Sequence, residues 1–263
     1  MEKAALEELL DEVKITAVEA GEIIMEVYTH TDFDIMLKSD NSPLTLADKK
    51  GNDVICARLH QIDPNIPIIS EENKLIPFEE RKEYEYFWMV DPLDGTKEFI
   101  KKNGEFTVNI ALIKGNIPVL GVVYVPVTRT LYWASKGLGA FKMTSESTGP
   151  IKANAFSKND PGLRVVCSRS HLDNDTQRFI NQLNNPIKIA KGSSLKFLVL
   201  AEGGAEFYPR LAPTMEWDTA AAHIILEEAG GKIHQAHNSQ PLEYNKENLL
   251  NPFFIATANQ KDG

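Results

Sequence analysis

At 263 residues the chain is longer than an ordinary single domain of roughly 100–200, and 43% apolar residues suffice to bury a full core. With 28 basic against 37 acidic residues, the net charge of −9 excludes a general nucleic-acid-binding surface, so a polyanionic ligand must be met by a few local cations. Cys56 and Cys167, the only two cysteines, support neither a disulfide framework nor a zinc site and fit a reducing cytoplasm.

The acidic opening Met-Glu-Lys-Ala-Ala-Leu-Glu-Glu does not read as a signal peptide, and no run of 18 apolar residues is present to span a bilayer. Leu6, Leu9, Leu10, Val13, Ala17, Ala20, Ile24 and Val27 recur at helical spacing, which predicts one long amphipathic helix. Residues 38–43 form a polar turn, with Ser42-Pro43 expected as an N-cap followed by proline at the first helical position. The helix after it carries Thr45 and Asp48 three apart on one face. Asp48 there is either a simple complement to the helix dipole or part of a site.

Residues 66–70 read as a short buried strand delivering Glu71 and Glu72 at its end. A second apolar run, 84–90, leads into Asp91-Pro92-Leu93-Asp94-Gly95-Thr96. Proline fixes its own φ and pushes Asp91 toward an extended conformation, so a sharp turn is expected between the two acids. Their carboxylates and the Leu93 carbonyl make an oxygen donor set suited to a hard divalent cation such as Mg²⁺. The free N–H groups of Gly95 and Thr96 at a helix start suit phosphate. Taken alone, the same stretch also reads as a capped turn. It lacks the spacing of an EF-hand.

Residues 106–113 and 117–125 flank Lys114-Gly115-Asn116, a hairpin signal, and 129–134 make a further strand, so helices on an antiparallel sheet are expected over residues 1–145. Residues 142–160 turn polar and irregular, which suggests a junction. In 146–263, segments 164–168, 173–183, 187–190, 194–202, 205–208, 218–229 and 253–258 alternate between strand and helix. That alternation predicts an α/β lobe with a mostly parallel sheet. Asp218, before Ala222, Ile225, Leu226 and Ala229, stands where a helix N-cap would; a further role is left open. His234-x-x-His237 reads as a surface feature, since no third ligand accompanies it. No dinucleotide fingerprint, Walker loop, zinc-protease or serine-hydrolase motif occurs.

The set Glu71, Asp91-Pro-Leu-Asp94-Gly-Thr96 and Trp217-Asp218 resembles the lithium-sensitive, Mg²⁺-dependent phosphatases that include inositol monophosphatases and fructose bisphosphatases. Segments 40–48, 91–100, 104–113, 192–197 and 208–210 resemble, in order, the bacterial CysQ-type 3'(2'),5'-bisphosphate nucleotidases. The resemblance implies a layered α/β/α/β/α sandwich, α+β in its first half and α/β in its second. It implies two or three Mg²⁺ held by Glu71, Asp91, Asp94, Asp218 and the Leu93 carbonyl. Asp48 and Thr96 would take the proton of an attacking water, with Glu71 beside it. Paired cations would neutralise the phosphoryl oxygens and stabilise the leaving oxygen, with in-line attack and no covalent intermediate.

The implied substrate is adenosine 3',5'-bisphosphate, cleaved to AMP and phosphate, with 3'-phosphoadenylyl sulfate as a second one and a role in clearing a by-product of sulfate assimilation. Its second phosphate needs cations away from the acids, which Lys196 and Arg210 supply. His171 and Ser193 join them by resemblance, with Arg169 a weaker candidate; a lone Lys196 would otherwise read as a solvated helix lysine. An inositol or sugar phosphatase shares the same metal core, and a non-catalytic binding protein is the alternative from another class. The resemblance implies a cytoplasmic enzyme and extends to peripheral placement on the inner membrane, although the acids of the N-terminal helix suit anionic lipid poorly.

Overall fold

The computed structural model describes residues 3–30, 35–37, 43–169 and 173–261. Helices are α1 (Lys3–Thr29), α2 (Leu46–Ile62), α3 (Phe78–Arg81), α4 (Thr96–Ile100), α5 (Asn174–Asn181), α6 (Leu195–Ala201) and α7 (Ala220–Glu228). Strands of the first half are β1 (Ile35–Leu37), β2 (Pro43–Thr45), β3 (Ile68–Ser70), β4 (Tyr86–Asp94), β5 (Thr107–Lys114), β6 (Ile117–Val125), β7 (Thr130–Ser135), β8 (Gly139–Met143) and β9 (Thr148–Ile151). The second half contributes β10 (Ala155–Phe156), β11 (Arg164–Ser168), β12 (Ile187–Lys191), β13 (Phe207–Arg210), β14 (Lys232–Gln235), β15 (Phe254–Thr257) and β16 (Asn259–Gln260).

A seven-stranded sheet in the order β3-β4-β5-β6-β7-β8-β9 is antiparallel except for the parallel β3–β4 pair. Its two faces are both apolar, and strand alternation sorts the side chains between them. Trp88, Val90, Ile110, Leu112, Val122 and Tyr124 pack with α1 and α2, while Phe87, Met89, Ala111, Ile113, Val123 and Val125 pack toward α6 and α7. Beyond those helices lies a five-stranded sheet, β12-β11-β13-β15-β14, with α5 on its far side against β13. The order of layers is therefore α/β/α/β/α, as the resemblance implies. The periodic positions of α1 are buried as expected, with only Leu9 partly exposed.

Three expectations change. The division at 145/146 falls in the turn between β8 and β9, where Thr144 and Ser147 bond each other, so the first sheet continues to Ile151. Polar turn residues there join two strands rather than two lobes, and one apolar core runs from β4–β7 into the second half. The second sheet is mixed rather than mostly parallel: β11 pairs parallel with β12 and β13, but β15 pairs antiparallel with β13 and β14. An antiparallel pair needs no crossover helix, and residues 236–253 join β14 to β15 without one.

Candidate metal and phosphate site

The site gathers where β3 and β4 end beside the N-termini of α2 and α7. Helix α2 begins at Leu46, not after Ser42, which lies outside the described residues; Pro43 belongs to β2. The N-cap is Thr45, whose Oγ1 accepts from Ala47 N. Asp48 completes a capping box, its Oδ2 accepting from Thr45 N at 2.7 Å and Thr45 Oγ1 at 2.6 Å. The other oxygen, Oδ1, accepts from Thr96 Oγ1 at 3.1 Å, and the Leu93 carbonyl oxygen is 3.4 Å from that hydroxyl. Capping thus fixes the rotamer that points Asp48 at Thr96.

Strand β4 does not stop at Asp91. It runs on through Pro92 to Asp94, with an irregularity of register against β5 between the two acids. Proline removes one ladder donor there, so the departure from regular pairing is where the chain chemistry requires it. Asp91 is buried and its Oδ1 accepts from Leu93 N at 3.1 Å. Gly95 follows at φ +95°, a left-handed conformation open to glycine, and a Cβ there would meet the Glu105 carbonyl oxygen at 3.0 Å. Glu71 is placed by its N–H, which donates to Val90 O at 3.1 Å, and by Ser70, whose hydroxyl donates to Asn52 of α2 at 2.6 Å.

Asp218 is not the N-cap of α7. It closes a 3₁₀ turn, Glu216–Asp218, and its Oδ2 reaches back to accept from Met215 N at 2.9 Å; Thr219 occupies the cap position. The backward bond leaves the other carboxylate oxygen for the centre of the site. Carboxylate oxygens of Glu71, Asp91 and Asp218 lie within 4.8 Å of one another. Asp94 is outside that trio and instead accepts from Ser193 Oγ at 2.8 Å.

Burial, then the charges of Glu71, Asp94, Asp218 and Asp48, hold the Asp91 carboxyl well above the usual carboxylate range. Asp218 is raised likewise, by burial first and then by Asp94 and Glu71. An acid cluster of this kind demands either protons or a cation. Its donors are all oxygens, which fits a hard divalent ion.

A cavity of about 190 Å³ opens beside the acids and is lined by Asp94, Gly95, Ser193, Lys196, Arg210 and Asp218 among others. Lys196 is buried, donates to the Ser193 carbonyl, and has its ammonium 5.5 Å from the Tyr208 ring centroid. Burial lowers its pKa to about 8 against the opposing pull of Asp94. Arg210 donates one Nη2 bond to Pro213 O, while its buried Nε has no partner among the described residues. His171 lies outside the described residues. Arg169 is engaged by Glu105, with Nε–Oε2 at 2.9 Å and Nη2–Oε1 at 2.7 Å, so it does not line the cavity as a free cation.

Sequence reasoning missed a hydroxyl and amide cluster under Ser193: Thr107 Oγ1 is 2.6 Å from Ser193 Oγ and 2.8 Å from Ser194 Oγ, and Ser194 donates to Asn109. Alternating polar residues in the apolar strand 107–113 are the signal that marks it.

Carboxylates converging at the strand ends of a five-layered sandwich, next to a cavity lined by the buried Lys196 and the half-buried Arg210, define the metal-dependent phosphatase class. The chain belongs to the inositol monophosphatase family, whose model matches residues 5–261. It is 46% identical over 248 residues to the 3'(2'),5'-bisphosphate nucleotidase CysQ of Escherichia coli O6:H1, covering 94% of this chain and 98% of that one. To CysQ of Salmonella typhimurium it is 44% identical, over 95% of this chain and 99% of the relative. The crystal structure of CysQ from Bacteroides thetaiotaomicron superposes with a TM-score of 0.82 at 43% identity, covering 94% of this chain and 95% of that one. Among the described residues no helix is long and apolar enough to cross a membrane.

Proposed function

We propose that this chain is a Mg²⁺-dependent 3'(2'),5'-bisphosphate nucleotidase that cleaves adenosine 3',5'-bisphosphate to AMP and phosphate, with 3'-phosphoadenylyl sulfate as a second substrate. One observation carries the reading: acids, the buried Lys196 and the half-buried Arg210 line the same cavity, and the Arg210 Nε there is a buried donor without an acceptor among the described residues. An orphaned buried donor costs about 1–3 kcal/mol, which a phosphate oxygen would recover. Identity of 44–46% to nucleotidases over nearly the full length supports the same choice.

In this reading Glu71, Asp91, Asp94, Asp218 and the Leu93 carbonyl hold two or three Mg²⁺. Bound there, the ions would neutralise the phosphoryl oxygens and acidify the attacking water. The chain itself supplies a proton route. Thr96 Oγ1 donates to Asp48 Oδ1, so its lone pair accepts the water's hydrogen as its own proton moves to Asp48. Asp48 Oδ2, already holding two donors from Thr45, keeps the acceptor oxygen aimed. Gly95 and Thr96 contact the reacting phosphate; Lys196 and Arg210 take the second one, with Ser193 and His171 assigned beside them by resemblance. The enzyme acts in the cytoplasm, which suits two free thiols.

Hydrolysis of adenosine 3',5'-bisphosphate and inositol 1-phosphate, compared by kcat/KM at saturating Mg²⁺, tests the reading. The bisphosphate is expected to be preferred by at least two orders of magnitude. Preference for the inositol ester would replace it with the inositol phosphatase that shares the same acids.

A further inference from the structure

We infer that Glu105 is a positioning residue that sets the spacing between the carboxylate cluster and the Lys196–Arg210 end of the cavity, and so confers selectivity for a substrate with two phosphates. The inference rests on the nucleotidase reading. Glu105 precedes β5, its side chain is 12% exposed, and it is not part of the cavity wall. Both of its oxygens are nonetheless occupied. Oε1 accepts from Arg169 Nη2 at 2.7 Å, with Lys191 Nζ 3.5 Å away; Oε2 accepts from Arg169 Nε at 2.9 Å and from Gly192 N at 2.8 Å. These donors follow β11 and β12, two strands of the second sheet, so one carboxylate from the first sheet ties down both their ends.

Backbone contacts tighten the same junction. A Cβ at Gly192 would come within 3.1 Å of the Glu105 Cβ and carbonyl oxygen and 2.9 Å of Glu98 Cγ; one at Gly95 would meet Glu105 O at 3.0 Å. Residue 105 is therefore wedged between Gly95, which leads into α4, and the loop that carries Ser193. Ser193 itself holds φ +52°, an uncommon conformation for a residue with a side chain, which persists when its surroundings enforce it. Its hydroxyl bonds Asp94 and its carbonyl accepts from Lys196. Asp94 is itself held in β4 by its pairing with Thr107 of β5, so a shift at Gly192 alters the distance from that fixed acid to the buried ammonium. A substrate with one phosphate needs only the first of these placed; one with two needs the distance between them.

Glu105→Gln and Arg169→Lys test this, since each weakens the fork while leaving an acceptor or a charge in place, with Glu105→Ala as the stronger variant if it folds. KM for adenosine 3',5'-bisphosphate is expected to rise about 10-fold in Glu105→Gln, whereas kcat and KM for adenosine 3'-monophosphate stay within about twofold. Arg169→Lys, which keeps the ion pair but not the bidentate geometry, is expected to fall between wild type and Glu105→Gln. Equal losses on both substrates, or no change on either, would overturn the inference. Wild type assayed alongside separates the two levels: a wild-type enzyme that does not prefer the bisphosphate would remove the parent reading, and this one with it.

Discussion

Replacing Asp91 by Asn should make the metal-free protein more stable and the Mg²⁺-loaded protein less stable than wild type. Two unit charges 4.8 Å apart, the span of the carboxylate trio, repel by about 3.5 kcal/mol at an effective dielectric of 20. Proton uptake caps the cost. Burial and the neighbouring acids raise the Asp91 carboxyl well above its ordinary range, so it takes up a proton rather than bear the full repulsion. Asn removes the charge, keeps the size, and can still accept from Leu93 N. A gain of about 2 kcal/mol in EDTA is expected, or roughly 4–8 °C in Tm for a chain of this size. With Mg²⁺ at 100 times its Kd, wild type gains about 2.7 kcal/mol and Asp91→Asn, lacking a ligand, gains little, so the order reverses. Because the folded pKa of Asp91 is raised, its contribution to stability is present at acid pH and is lost as pH rises through that value. Metal-free wild type should therefore weaken from acid toward neutrality, and the variant less so. Thermal melts at several pH values, with EDTA and with Mg²⁺, measure all of this. A variant less stable than wild type in EDTA would refute the view of the cluster as a repulsive centre awaiting a cation.

Three further outcomes are expected. Arg210→Ala, which removes a charged donor worth about 1.5–3 kcal/mol, should raise KM for the bisphosphate about 10- to 100-fold and change a nucleoside 3'-monophosphate little; steady-state kinetics on both decide it. Lys196 has a folded pKa of about 8, below its ordinary value, so its ammonium is lost as pH rises through 8. Accordingly kcat/KM for the bisphosphate should fall above that pH, and Lys196→Arg should abolish the fall; a flat profile in wild type would remove Lys196 from phosphate binding. Thr45→Ala should cost about 1 kcal/mol as a lost N-cap and lower kcat as well, because Asp48 Oδ2 loses a hydroxyl donor and its rotamer is freed; a melt alone would not separate this from a plain capping loss, so turnover must be read beside it.

Periodicity and local chemistry were enough to locate α1, the 114–116 hairpin and the acids at the ends of the strands before Glu71 and Asp91, because helix faces, strand alternation and turn residues are set by neighbours a few positions apart; Asp218 read locally only as a cap. The motif alone left open whether Asp91, Asp94 and Asp218 were caps or ligands. What tertiary structure adds is placement: Asp218 bonds backward to Met215, β4 runs through Asp91 and Asp94, and carboxylate oxygens of Glu71, Asp91 and Asp218, remote in the chain, come within 4.8 Å of one another. Caps show the limit of local reasoning on a small scale, since Ser42-Pro43 and Thr45 are both plausible starts for α2, and the partner Asp48 selects the second. Arg169 shows it on a larger one. By sequence it is a cation near the substrate, but Glu105, far off in the chain, takes its Nε and Nη2, and Ala190 O accepts from Nη2 as well. Residue types thus fixed which chemistry was available, while burial and long-range pairing, which set charge, solvation and partner, decided which of those groups stand together.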